Sequence, residues 1–213
     1  MKIELENVRP MDIEKRSFEI ITEELAQKKV VLPEEYAPII KRVIHTTADF
    51  EYADTLVFSE NVVEKALTAI KNGACIVTDT QMAMSGINKK ALTQFGGKVY
   101  NFMSDDDVAR IAKENGTTRA TACMDKAAKL DQPLIFAIGN APTALVRLYE
   151  LIQEDRIKPE LIIGVPVGFV NVVQSKELIM KTDIPYMIAR GRKGGSNVAA
   201  AICNALLYML VSR

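Results

Sequence analysis

Apolar positions recur along this chain in two rhythms. Near the start they fall at helical spacing. Pro10 and Asp12 open a segment in which Ile13, Ser17, Ile20, Ile21 and Leu25 share one face. Pro33 opens a second, with Ile39, Ile40, Val43 and Ile44 turned inward and His45 at its end. After that the rhythm changes to short apolar runs at 55–58, 74–78, 98–102, 134–138, 161–165 and 186–189. These runs are rich in β-branched residues and too short for helices, so they predict buried strands. Amphipathic stretches at 61–72, 105–115, 117–130, 142–154, 170–181 and 196–211 lie between and after them and predict helices. Gly73 and Gly116 stand where helices end, and Asn140 and Pro142 stand where one begins.

Strand and helix alternating on this scale predict an α/β fold, a mainly parallel sheet flanked by helices. No repeat, low-complexity tract or Pro/Gly-rich linker divides the chain, so residues 1–213 read as one domain. In such sheets ligands bind beyond the carboxyl ends of the strands, so the segments that follow the runs are where chemistry is expected.

Composition narrows the function classes. Lys plus Arg equals Asp plus Glu at 27 each, so no global charge draws the chain to nucleic acid or an anionic membrane. An anionic ligand has to be met by a local basic cluster. No apolar run reaches membrane-spanning length, and the N-terminal segment has no apolar core of the kind a secretory leader needs. Cys75, Cys123 and Cys203 are odd in number, far apart and in apolar company, which reads as buried free thiols in a reducing cytoplasm rather than disulfides or a zinc site.

Three post-strand segments stand out. Arg190-Gly191-Arg192-Lys193-Gly194-Gly195-Ser196 packs three cations and three glycines ahead of a helix. Glycines permit close backbone approach and arginines fork onto carboxylates, so an anion site is favoured over a solvated basic turn. Its spacing is neither a P-loop nor a GxGxxG turn. Gly139-Asn140-Ala141-Pro142-Thr143 offers backbone N–H groups at a helix start, and reads equally as an anion site or a capped turn. Gly164 to Phe169 is almost wholly apolar, suited to a flat ligand face or to a packed turn.

His45 is the only histidine, and its residue type makes it the acid–base candidate, although most single histidines in enzymes are not catalytic. No carboxylate or thiolate lies at ligand spacing from it, so no protein-held metal is expected. Arg16-Ser17 on the first helix and Thr117-Thr118-Arg119 at the start of another each pair a cation with hydroxyls; a surface Arg beside a packing Ser explains the first as well. Thr78-Asp79-Thr80-Gln81-Met82 offers polar contacts after the second run. Together these groups suit a large ligand with an apolar body and several carboxylates.

Taken in order, several stretches resemble the precorrin-8X methylmutase family. They are Ile13 to Phe18, Val43-Ile44-His45, Ile76 to Met82, Thr117-Thr118-Arg119, Ala137 to Leu145, Gly164 to Val170 with Ser175-Lys176, and Arg190 to Ser196. The resemblance runs almost end to end. It implies an isomerase of cobalamin biosynthesis that moves a methyl group from C11 to C12 of (cobalt-)precorrin-8, formally a [1,5]-sigmatropic shift, in a homodimer with its active site near the subunit interface. It maps the catalytic histidine onto His45. The substrate contacts expected beside it are Arg16, Ser17, Thr117, Arg119, Asn140 and Thr143. The basic loop adds Arg190, Arg192, Lys193, Gly194 and Gly195. Thr46-Thr47-Ala48-Asp49 departs from the small Ala-Cys-Gly turn of some members. No cofactor is implied, since any cobalt arrives inside the corrinoid substrate. Two other classes compete: a corrinoid carrier that catalyses nothing, and a Rossmann-type nucleotide enzyme, which lacks its glycine turn here.

Overall fold

The structure, a computed structural model, describes residues 5–211; residues 1–4 of the segment read for a leader lie outside it. A 3-10 turn at Pro10–Asp12 leads into α1 (Ile13–Gln27), followed by α2 (Ala37–Thr47), the one-turn α3 (Tyr52–Thr55) and β1 (Leu56–Phe58). Next come α4 (Val62–Lys71), β2 (Cys75–Thr78), α5 (Gln81–Gly86), α6 (Lys89–Thr93), β3 (Val99–Tyr100), α7 (Asp106–Glu114) and α8 (Arg119–Ala127). The chain ends with β4 (Leu134–Ile138), α9 (Pro142–Gln153), β5 (Leu161–Gly164), α10 (Val172–Ile179), β6 (Tyr186–Ala189) and α11 (Ser196–Leu210). Each predicted strand is found, the third shortened to two residues. The helices α3, α5 and α6 were not anticipated, because four to six residues are too few to display a helical period.

The strands form one sheet in the order β1-β6-β5-β4-β2-β3. From β3 to β6 every neighbouring pair is parallel, while β1 pairs antiparallel with β6, Leu56 opposite Ala189. The central strands are buried on both faces, so they are continuous in hydrophobicity: all five residues of β4 are buried. Their side chains alternate between two cores. Ile76, Ile135, Ala137, Ile163 and Met187 face α1, α2, α4, α5, α6 and α11. Val77, Phe136, Ile138, Ile162 and Ile188 face α7 to α10.

Helix α11 lies on the first face, against α2, α4 and α5. Its run of alanines permits close approach, and Val198, Ile202, Leu206 and Leu207 fill the space between. Burying each such aliphatic side chain contributes about 1.5–3 kcal/mol. The Asn204 side chain accepts from the Asn88 amide and donates to the Gly86 carbonyl, which fixes α5 and α6 to it.

The parallel strands β2, β4, β5 and β6 all deliver their following loops to one edge. Because β1 runs the other way, its start, and the α2–α3 segment before it, reach that same edge. This is how His45 comes to the side of the sheet where the post-strand loops are.

Candidate active site at the carboxyl edge of the sheet

His45 lies in the last turn of α2, which ends on Ala48 in the left-handed conformation. The ring is exposed, but it is held. Ser17 Oγ lies 2.7 Å from Nδ1, and the Phe18 ring stacks on the imidazole at 5.4 Å between centroids. Beyond Phe18, the Arg42 guanidinium is packed between the Phe18 and Tyr208 rings and donates to Glu14. Nδ1 is thereby occupied, and Nε2 makes no hydrogen bond among the described residues.

Beside the ring opens a cavity of about 490 Å³, lined by Ile13, Ile20, Ile21, Ile44, Ala48 and Phe50 with Arg16, Ser17, His45 and Glu24. The apolar face of α1 expected to enter the core is therefore divided. Ile21 and Leu25 are buried, whereas Ile13 and Ile20 stay open to the cavity. Arg16 reaches Glu6 at 2.7 Å and Glu19 at 3.5 Å, and is not a bare cation.

The loop from Arg190 to Gly195 sits next to this region. Lys193 Nζ donates to Asp49 at 2.6 Å and also to Glu51, so it closes the turn after His45 against the basic loop. That hydrogen bond from Lys193 holds the Asp49 carboxyl below its ordinary range. Lys193 is thus already spent on the chain's own carboxylates. Arg190 and Arg192 are exposed; the Arg192 guanidinium lies 5.3 Å above the Phe169 ring. The loop leans on its neighbour after β5, with Gly195 N–H donating to the Val165 carbonyl and Gly168 N–H to that of Arg192. A Cβ on Gly194 would stand 2.0 Å from the Val165 oxygen, so only glycine fits there. From below, Lys176 Nζ donates to the carbonyls of Gly191 and Lys193 at 2.8 and 2.9 Å.

The turn after β4 differs from its reading as an open anion site. The N–H groups of Gly139, Asn140 and Ala141 all donate to the Asp79 carboxylate, at 2.9, 2.8 and 2.6 Å. Nor is Asn140 the cap: Ala141 holds that position and no side chain bonds there. Asp79 is buried, which pushes its carboxyl up, and the three amides pull the other way. The chain order reverses between β2 and β4, the crevice where open α/β sheets bind nucleotides. Here the chain fills that crevice with its own carboxylate, which leaves no phosphate pocket for the nucleotide reading. Thr80 Oγ1 then meets Ser196 Oγ at 2.8 Å, and Gly139 abuts Ser196 so closely that a Cβ would lie 2.7 Å from its Cα.

Thr118 caps α8 and bonds Thr143 at the start of α9, at 2.9 Å between hydroxyls, with Thr117 and Arg119 exposed alongside. The edge thus gathers Thr117, Arg119, Asn140 and Thr143 around α8 and α9, Arg190 and Arg192 after β6, and Arg16, Ser17 and His45 at α1 and α2. Val167, Phe169 and Val170 on the loop after β5, and Met82 in the first turn of α5, are exposed apolar side chains.

Comparison with known proteins decides the family. The precorrin-8X methylmutase (CbiC) family model matches residues 12–209. The chain belongs to the precorrin-8X methylmutase family. Cobalt-precorrin-8 methylmutase of Priestia megaterium is 45% identical over 199 residues, covering 93% of this chain and 88% of that one. The Salmonella typhimurium protein of the same name is 45% identical over 206 residues, 95% of this chain and 96% of its own. The solved precorrin-8X methylmutase from Thermus thermophilus superposes with a TM-score of 0.82 at 36% identity, covering 93% and 96% of the two chains. The α/β fold expected of a methylmutase is the fold observed.

Three residues of this edge, Phe18, Arg42 and Lys176, escaped the sequence reading as contributors to the site, and Asp79, expected as a polar contact, instead accepts from the chain's own amides. None carries a local signature of its role. Asp79 and Lys176 fall inside stretches that resemble the family, and the only signal in them was a charge set among buried neighbours. Arg42 lies three residues before His45 on the same helix, which places the two on one side of it.

Proposed function

We propose that this chain is an isomerase of cobalamin biosynthesis that moves a methyl group from C11 to C12 of cobalt-precorrin-8 or its metal-free counterpart. The bond to C11 breaks as the bond to C12 forms, and the conjugated double bonds relocate. No atom or electron enters or leaves, so the reaction needs no resident cofactor, and cobalt belongs to the substrate. What it needs is a macrocycle held in a reactive conformer and a donor placed to draw electron density.

The observation that carries this reading is the Ser17–His45 contact at the mouth of an apolar cavity. With Ser17 Oγ–H donating to Nδ1, the imidazole proton resides on Nε2, and His45 can donate to a ring nitrogen. Phe18 fixes the ring plane. The apolar walls receive the macrocycle body, and its acetate and propionate arms reach the cations and hydroxyls of the edge: Arg190, Arg192 and the backbone at Gly194 on one side, Thr117, Arg119, Asn140 and Thr143 on the other, while the Gly195 amide is taken by the Val165 carbonyl. Arg16 serves an arm only by releasing Glu6, and Lys193 holds the loop to Asp49 and Glu51 rather than meeting substrate directly.

The exposed apolar side chains Met82, Val167, Phe169 and Val170 support a homodimer that closes over the ring, with the active site near the interface. A reducing cytoplasm suits the three buried free thiols. A pure carrier would have no use for an oriented donor, and relatives of matching length are named for the isomerisation.

The test is His45→Ala, assayed for corrinoid affinity by spectral titration and for rearrangement by single-turnover absorption. Affinity should hold within a few-fold while the rate falls about a hundred to ten-thousandfold, the usual contribution of a positioned acid–base group. Rearrangement at the wild-type rate would remove His45 from the chemistry.

A further inference from the structure

Lys176 is a charge in an unusual place. It is 1% exposed, and burial lowers its pKa to about 8 without help from any carboxylate. Its ammonium meets the carbonyl oxygens of Gly191 and Lys193, both in the basic loop. A methionine would fill similar volume with no desolvation cost, so packing alone does not account for a lysine.

The consequence lies in the geometry of the peptide group. A trans peptide places the carbonyl of one residue and the N–H of the next on opposite sides. No peptide bond in the described residues is cis. When the Gly191 and Lys193 carbonyls turn inward to Nζ, the N–H groups of Arg192 and Gly194 turn away from it. Neither N–H makes a hydrogen bond among the described residues. Gly191 and Gly194, with φ of +75° and +158°, supply the backbone freedom this arrangement requires. Free amides at nearby positions of such a turn can line a concavity that accepts an anion, and this one belongs to a segment that also carries Arg190 and Arg192.

We propose that Lys176 is the positioning residue of the basic loop: by holding the Gly191 and Lys193 carbonyls inward, it aims the Arg192 and Gly194 amides at a carboxylate arm of the substrate. The ligand half of this statement rests on the corrinoid reading above; the loop half does not. Without the ammonium, the two carbonyls gain by turning to water, and oxygen replaces N–H where the carboxylate would sit. Loss of Lys176 should therefore change which ligand is preferred, carboxylate or amide, and should not simply weaken binding in general.

The experiment compares wild type, Lys176→Met and Lys176→Gln on the full-length protein, in two arms. The first is limited trypsin digestion, since Arg190, Arg192 and Lys193 make the loop a cluster of cleavage sites. Lys176→Met should be cut there at least tenfold faster than wild type, with Lys176→Gln, a neutral and shorter donor, in between. The second arm measures affinity for cobyrinate and for the same ring with its carboxylates amidated. Wild type should prefer the carboxylate form tenfold or more, and Lys176→Met should lose most of that preference. Wild-type protein that binds neither ring refutes the corrinoid reading, and the trypsin arm then judges Lys176 alone. A Lys176→Met protein with wild-type cleavage and wild-type preference would overturn the proposal. So would failure of both variants to fold, which would make Lys176 a residue of the core.

Discussion

At His45 one ring nitrogen is taken, one ring face is covered, and the other nitrogen is left for a ligand. Ser17 and Phe18 do this from α1, 28 and 27 residues earlier in the chain. The cations at this edge fall into two kinds: Arg16, Arg42 and Lys193 each answer a carboxylate of the chain, whereas Arg190 and Arg192 of the basic loop, like Arg119, have no ion pair among the described residues. Substituting Arg190 or Arg192 with Gln should therefore lower corrinoid affinity about tenfold each, since a charge-assisted contact is worth about 1.5–3 kcal/mol. The melting temperature should hardly move. Isothermal titration beside thermal denaturation separates the two effects, and unchanged affinity would take the loop out of the site. His45 and the Arg190–Ser196 cluster were legible in the sequence because residue type and local crowding announced them. Asp79 and Lys176 were not, because their partners lie 60 or more and 15 or more residues away and only the fold reveals them.

Among the elements, the parallel strands followed directly from apolar runs bounded by turns. The orientation of β1 did not, since a three-residue run reads the same in either direction. The division of α1 between core and cavity was hidden for a similar reason: an apolar side chain on a helix face looks alike whether it meets the core or a ligand. Asp79 ties the turn after β2 to the start of α9. Asp79→Ala would leave three amides and a buried hole without an acceptor. At about 1–3 kcal/mol for each unsatisfied buried group, a loss of roughly 3 kcal/mol or more is expected. Asp79→Asn keeps one acceptor oxygen and should lose less. Denaturant unfolding checks both. Equal stability of Asp79→Ala and wild type would mean that water replaces the carboxylate without penalty.

For the whole molecule, the carboxyl edge is also where exposed apolar side chains concentrate, Phe169 at 81% and Val170 at 78%. A surface of this kind is expected to be covered in solution. Sedimentation equilibrium should give twice the chain mass, and Phe169→Glu combined with Val170→Glu should shift it toward the single-chain mass. A monomeric wild type would remove the dimer from the proposed site. Among the described residues, no three His, Cys, Asp or Glu side chains are grouped to hold a metal. Plasma mass spectrometry of the ligand-free protein should then find no stoichiometric cobalt or zinc. A bound equivalent of either would reassign the metal from substrate to protein.

The pairing of Leu56 with Ala189 joins parts of the chain that are made far apart in time. His45 leaves the ribosome about 145 residues before Arg190, an interval of roughly 7–30 s at 5–20 residues per second. Throughout that wait, α1 and α2 have no α11 to lie against, and the turn after His45 lacks Lys193. The histidine and the basic loop become neighbours only when the final strand closes on the first. Contacts of such long sequence separation slow folding. The capacity to rearrange the ring should accordingly be among the last properties a refolding chain regains, well after its helical signal has returned.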